Sequence, residues 1–237
     1  LEGSKCFTKE FLARHGVPTA AYRIFDDAAP AREFILAGPQ AVVVKADGLA
    51  AGKGVYVARS HDEALAAIDE IMVEKAFGAA GDRVVIEDYM PGREITVIVI
   101  SDGTDVVPLE TAQDYKPVFD GNRGPNTGGM GSYSPHLPLD DAVVTRVIDE
   151  IIQPTLAGLR SEGIEYSGAL YAGLMLTSDG PKVVEYNVRF GDPEIQSILM
   201  RLRSDLVELF EACIDGRLGE IALEWDARSA VCVIGAS

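Results

Sequence analysis

The chain has 237 residues, 47% of them hydrophobic and 24% charged, with 24 glycines and 12 prolines; this is globular composition and excludes collagen-like, low-complexity and mainly disordered chains. Lys and Arg total 21 against 37 Asp and Glu, and the net charge of −16 repels a phosphate backbone and an anionic membrane surface alike, so neither nucleic acid nor membrane is an expected partner. Cys6, Cys213 and Cys232 lack metal-like pair spacing and read as reduced core thiols of a cytoplasmic protein. The longest apolar runs, such as residues 95–100, are too short to cross a bilayer, and no signal peptide is visible.

In chain order, residues 4–15 read as a helix capped by Ser4 and stopped by Gly16 and Pro18. Residues 22–25, 41–45, 55–58 and 84–87 read as strands and 28–37 and 61–77 as helices, the pattern of a small α/β lobe ending near Pro91-Gly92. Residues 95–100 and 105–109 read as a hairpin turning at Asp102-Gly103, followed by a long polar loop over 113–136. From about Asp140 to Glu162, Val143, Val144, Val147, Ile148, Ile151, Ile152, Leu156 and Leu159 recur at helical spacing. Residues 168–177 and 181–187 read as antiparallel strands and 205–215 as a final helix. The chain begins at Leu1 and stops in an apolar stretch, 230–234, that reads as a strand without its continuation, so a piece of a longer protein is expected.

Four segments carry residue types suited to chemistry. Lys45 through Gly54 is glycine-rich, with Lys45 on a strand and Lys53 in the loop; backbone N–H groups there can approach phosphate oxygens while an ammonium neutralises them. It is not a Walker loop, because three residues separate Gly48 from Gly52 and Gly54 follows Lys53; a hairpin turn with a solvated lysine is the alternative. Residues 86–94 can offer main-chain groups to an adenine edge, and Glu94 can accept from ribose hydroxyls, or the segment is a solvated acidic linker. Glu185 and Asn187 fall on one face of a strand, where a carboxylate and an amide oxygen suit magnesium or manganese, and Arg189 continues that face toward an anionic group. The loop from Gln113 to Lys116 and from Gly124 to Gly131 allows close backbone approach to a ligand; disorder is its alternative. Trp225, His15, His61 and His136 join no catalytic constellation and read as structural or surface residues.

Taken in order, Leu1 to Lys5, Lys45 to Gly54, Gly124 to Pro135 and Asn187 to Glu194 closely resemble the phosphoribosylamine–glycine ligases of the ATP-grasp superfamily, over nearly the whole chain. The resemblance implies an α+β, ATP-grasp fold with two α/β lobes holding ATP between their sheets, and with the N-terminal and most of the C-terminal domain of that family missing. It divides the chain into a linker helix (1–20), a small lobe or lid (21–92), a large lobe (93–225) and the start of a truncated C-terminal domain (226–237).

The implied activity joins glycine to 5-phosphoribosylamine with ATP and Mg2+ or Mn2+, through a glycyl phosphate, in purine biosynthesis. Carried over by residue, Lys5, Lys45, Asp47, Gly48, Gly52, Lys53, Gly54, Glu87, Tyr89, Met90 and Glu94 would bind ATP, and Glu185 and Asn187 the metal. Asp114, Lys116, Asn126, Thr127, Arg189 and Asp192 would contact glycine and phosphoribosylamine, with Lys116, Arg189 and Asp192 catalytic. Two departures are visible: Pro117 stands where many members carry Arg, which removes a charge, and Val188 stands where Cys is usual, which reads as a packing change. Gly92-Arg93-Glu94 followed by Thr-Val also resembles D-alanine–D-alanine ligases, but the Arg189 to Glu194 segment argues against them. A nucleotide-binding fragment without activity is the remaining alternative.

Overall fold

The computed structural model describes residues 1–50, 53–121, 123–136 and 141–235. Two compact units emerge, one of Leu1–Arg14 with Thr19–Gly92 and one of His15–Pro18 with Arg93–Ser237.

In the first unit, α1 (Lys5–Arg14) starts where the Phe7 N–H donates to Ser4 Oγ at 3.1 Å, an N-cap bond. Strands β1 (Tyr22–Phe25), β2 (Val42–Ala46), β3 (Val55–Ala58) and β4 (Val84–Asp88) form an antiparallel sheet in the order β1-β4-β2-β3. Asp27 caps α2 (Ala28–Ala37) and Ser60 caps α3 (His61–Ile68). Strand alternation decides the rest. Val42, Val44, Ala46, Val84 and Ile86 pack with Ile35, Ile68 and Ile71 of the helical layer, each buried valine or isoleucine side chain contributing roughly 1.5–3 kcal/mol. Lys45 and Glu87 therefore face away from that core.

The helix expected to reach residue 77 is shorter. After Ile68 it widens into a π turn, Asp69–Val73, and Lys75, at φ +55°, ends it with its ammonium on the Gly81 carbonyl at 3.1 Å and on Asp82 at 2.8 Å.

In the second unit, β5 (Arg93–Ser101) and β6 (Val106–Pro108) form the expected hairpin, with Gly103 at φ +95° supplying the turn. The segment expected to be a polar loop over 113–136 instead holds four short strands: β7 (Gln113–Asp114), β8 (Pro117–Phe119), β9 (Arg123–Asn126) and β10 (Gly131–Ser134). None is long enough to show a period-2 pattern. The long helix is resolved as α4 (Asp141–Val147), a π turn over Ile148–Ile152 and α5 (Gln153–Ser161); Pro154, which has no N–H to donate back, falls in the first turn of α5. Residue 140 lies outside the described residues.

Strands β11 (Gly168–Thr177) and β12 (Gly180–Asn187) complete a sheet ordered β12-β11-β5-β6. Helix α6 (Glu194–Leu199), which no sequence signal announces, and α7 (Leu206–Ile214) pack Ile198, Leu209 and Ala212 against Ile98, Ile100 and Tyr171. Trp225 joins the edge of that core. Strand β13 (Ala230–Val233) pairs antiparallel with β10. All three cysteines are free; Cys6 and Cys213 are buried and Cys232 is partly exposed.

Candidate active site

In the first unit, the glycine-rich segment is fastened to α1. Asp47 accepts from the Cys6 N–H at 3.1 Å, from Ser4 Oγ at 2.8 Å and from Arg83 at 2.6 Å. Burial works to raise the Asp47 carboxyl, but these hydrogen bonds and the Arg83 charge outweigh it and lower its pKa. Lys5 donates to the Gly48 carbonyl at 2.8 Å, and Gly48, at φ +100°, makes the turn that presents it. The Ala46 N–H donates to the Gly54 carbonyl at 2.8 Å, and Gly54 is packed so closely that an added Cβ would fall 2.7 Å from Ala50 Cβ. Lys53 is exposed; Gly52 lies outside the described residues.

Lys45 and Glu87 are diagonal neighbours on β2 and β4, since Glu87 pairs with Val43. The Lys45 ammonium is 2.8 Å from Glu87 Oε1, and both residues are 3% exposed. The Glu87 carboxylate is thus engaged by lysine, and the backbone of Glu87 and Asp88 is paired with neighbouring strands and with Ala21, which leaves the main chain of Tyr89 and Met90, beyond the end of β4, as the part suited to a base edge. Tyr89 is half-buried with the Arg59 guanidinium 4.0 Å from its ring centroid, and Met90 is half-buried beside it.

In the second unit, Lys116 is the hub. Its ammonium lies 3.4 Å from Glu94, 3.7 Å from Asp114 and 4.0 Å from Glu185, which brings together β5, β7 and β12. Burial works against its charge, yet the joint field of Glu94, Asp114, Glu185 and Glu194 prevails and raises its pKa. Burial pushes the Asp114 carboxyl up to about 6, against the pull of Lys116 and with the help of Glu194 and Glu94.

Thr127 ties the next segment to the same hub: its N–H and its hydroxyl both donate to the Lys116 carbonyl at 2.8 Å. Pro117 pairs with Asn126, so the position at which a charge is missing is a strand residue next to the hub. Gly129 packs on Pro193, and Ser132 donates to the Pro193 carbonyl at 2.6 Å, which places Asp192 beside the glycine segment. The Asp192 carboxylate accepts from Gln196 at 2.7 Å.

Glu185 and Asn187 lie on one face of β12, opposite Gly173 and Tyr171, and Asn187 Oδ1 accepts from Arg189 at 3.3 Å. Gly173 leaves room for the acid, because a Cβ there would fall 3.1 Å from Glu185 Cγ. One carboxylate and one amide oxygen are hard donors that fit magnesium or manganese, with phosphate oxygens and water completing the shell. Among the described residues no group of three or more His, Cys, Asp or Glu side chains is placed to hold a metal ion by itself. Val188 is 46% exposed, so its exchange for Cys is a surface change and not the packing change the sequence suggested.

Two features have no sequence signal. Lys9 of α1 is 3% exposed and 3.0 Å from Glu87 Oε2. Behind the hub, Tyr171 donates to Glu194 at 2.7 Å, so the Thr96 hydroxyl, 2.9 Å away, must donate to the phenol oxygen. Neither could be found by motif or spacing, because each joins residues far apart in the chain.

Residues 3–195 match the family described as phosphoribosylglycinamide synthetase, ATP-grasp (A) domain. The chain belongs to that family. It is 53% identical over 99% of its length to the phosphoribosylamine–glycine ligase of Vibrio cholerae, and spans 55% of that relative. The crystal structure of phosphoribosylamine–glycine ligase from Thermotoga maritima superimposes with a TM-score of 0.84 at 34% identity, over 98% of this chain and 58% of that one. The biotin carboxylase domain of the Hydrogenobacter thermophilus 2-oxoglutarate carboxylase, solved with magnesium ADP, shares the fold at a TM-score of 0.66 and 20% identity, over 91% of this chain and 46% of that one. The fold of this family member is ATP-grasp. No helix among its described residues is long and apolar enough to cross a membrane.

Proposed function

We propose that this chain carries the ATP-grasp part of a phosphoribosylamine–glycine ligase, which joins glycine to 5-phosphoribosylamine and releases ADP and phosphate. The observation that supports it most is the convergence of Glu94, Asp114 and Glu185 on Lys116 in a chain of this family.

The chemistry follows from glycine. Its carboxylate is a poor electrophile, so a carboxylate oxygen attacks the γ-phosphorus of ATP, the bond to ADP breaks, and glycyl phosphate forms. The amine nitrogen of phosphoribosylamine then attacks the acyl carbon, phosphate leaves with the electron pair of the C–O bond, and the nitrogen loses a proton. Phosphoryl transfer asks mainly for positioning and charge neutralisation, not for a protein nucleophile.

The first unit contributes Lys45, Lys5 and the Asp47–Gly54 segment to the phosphates and the main chain of Tyr89 and Met90, past the end of β4, to the base. In the second unit Glu94 accepts from ribose hydroxyls, while Glu185 and Asn187 would hold the divalent ion. That ion neutralises phosphate oxygens when bound. Arg189, beside Asn187, addresses an anionic group, and Lys116, with Asp114, Asn126, Thr127 and Asp192, orients the amino acid and the amine. The magnesium ADP of the 2-oxoglutarate carboxylase domain supports the nucleotide and metal assignment. Free Cys6, Cys213 and Cys232 support a reducing compartment, the cytoplasm.

The test is ADP release by the protein carrying this chain, with ATP and magnesium, as a function of glycine and phosphoribosylamine. Release that requires glycine and is completed by phosphoribosylamine is the expected result. Release with D-alanine in place of glycine, or ATP binding without turnover, overturns it.

A further inference from the structure

The buried charge cluster of the first unit holds one lysine more than phosphate binding requires. Lys9 projects from α1 onto the strand face opposite the helical core, where its ammonium donates to Thr19 Oγ1 at 2.6 Å, lies 3.0 Å from Glu87 Oε2 and 5.7 Å from the Tyr22 ring centroid. Tyr22 and Val43 flank Glu87 in register on β1 and β2, and Lys45 approaches diagonally to within 2.8 Å of Glu87 Oε1. The two lysines therefore approach different oxygens of one carboxylate, Lys45 reaching Oε1 as an ion pair without a hydrogen bond, and Lys9, Lys45 and Glu87 are each 3% exposed.

Two cations and one anion out of water are a costly way to hold a helix against a sheet, since an apolar contact of the same size would serve at least as well. A dry cluster with net charge +1 is, however, a receptor for an anion, provided its parts are held in place. With Lys9 removed, Glu87 keeps Lys45 as its only cationic partner in the cluster and is free to follow it.

We infer that Lys9 is a positioning residue: it pins Glu87 from the α1 side so that Glu87 aims the Lys45 ammonium at a nucleotide phosphate. This rests on the reading of Lys45 as a phosphate contact. The charged and titratable groups facing Lys9 are Glu87 from β4, Lys45 from β2 and Tyr22 from β1, and burial pulls Lys9 down to about 8. Above that pH the anchor loses its charge while Lys45, beside the same carboxylate, keeps the geometry that Lys9 imposed only as long as Glu87 stays put.

The experiment is calorimetric titration of the protein carrying this chain with magnesium ATP, for wild type, Lys9→Met, Lys9→Arg and Lys45→Met. Lys9→Met is expected to weaken ATP binding about tenfold, and Lys9→Arg to restore it to within about threefold. Wild-type affinity should fall between about pH 7 and about pH 9, whereas Lys9→Arg, whose guanidinium does not titrate there, should stay flat. If Lys9→Met does not fold, the pH profiles of wild type and Lys9→Arg decide alone. Equal slopes in those two profiles, or unchanged affinity in Lys9→Met while Lys45→Met is impaired, overturn the inference and leave the ligase reading standing. Wild-type protein that binds no ATP overturns both.

Discussion

Gly129 lies so close to Pro193 that a Cβ added to it would fall 2.4 Å from the proline Cδ, and its φ of +128° is one that L side chains avoid. Gly129→Ala should therefore force the glycine segment off the Asp192-Pro193 turn and cost about 1–3 kcal/mol of stability. Gly128→Ala, which meets nothing within 4 Å, should stay within about 0.5 kcal/mol of wild type. Urea midpoints of the two variants compare them directly.

Glu185→Gln keeps the shape of the side chain and removes a ligand charge. Magnesium-dependent ATP binding should weaken about tenfold or more with little change in melting temperature, because Lys116 retains Glu94 and Asp114 as partners. A magnesium titration identical to wild type would remove Glu185 from the metal assignment.

The pH dependence of Asp114 has a definite sign. Its carboxyl is raised from 3.8 to about 6 in the folded protein, so the native state holds this proton more tightly than the unfolded chain and the stability it contributes is lost as pH rises through that window. Relative to wild type, Asp114→Asn should become progressively more stable between about pH 4 and about pH 6. Thermal midpoints at successive pH values measure the difference, and a constant offset would contradict the assignment.

Asp47 fastens the glycine-rich segment through three acceptor contacts. Asp47→Ala should cost about 1–3 kcal/mol, the loss of a cap together with a partner for Arg83. Asp82→Ala removes only an exposed contact with Lys75 and should change stability by less than about 1 kcal/mol. Chemical denaturation of the pair separates a fastening from a surface ion pair.

Much of this molecule was legible because local rules and tertiary packing agree. Asp102-Gly103 gives its hairpin, the spacing of Val147, Ile151, Leu156 and Leu159 gives a buried helical face, and the two-residue step from Glu185 to Asn187 puts both side chains on one face of β12. The four strands between Gln113 and Ser134 escaped, since segments of two to four residues carry no period and their glycines and prolines read as loop. Lys116 showed as a motif residue, but its acidic surroundings come from positions as distant as Glu94 and Glu185 and exist only after folding. Lys9 gave no signal at all; its burial depends on where α1 lands on the sheet.

The phenol oxygen of Tyr171, hydrogen-bonded to both Thr96 and Glu194, binds three positions into one unit of inheritance. Exchange of the tyrosine for phenylalanine would strand a hydroxyl and a carboxylate at once, so no single substitution offers a neutral route through this spot. Evolutionary drift there is expected to be concerted: across sequences of this fold, residues at positions 96, 171 and 194 should change together or stay as they are.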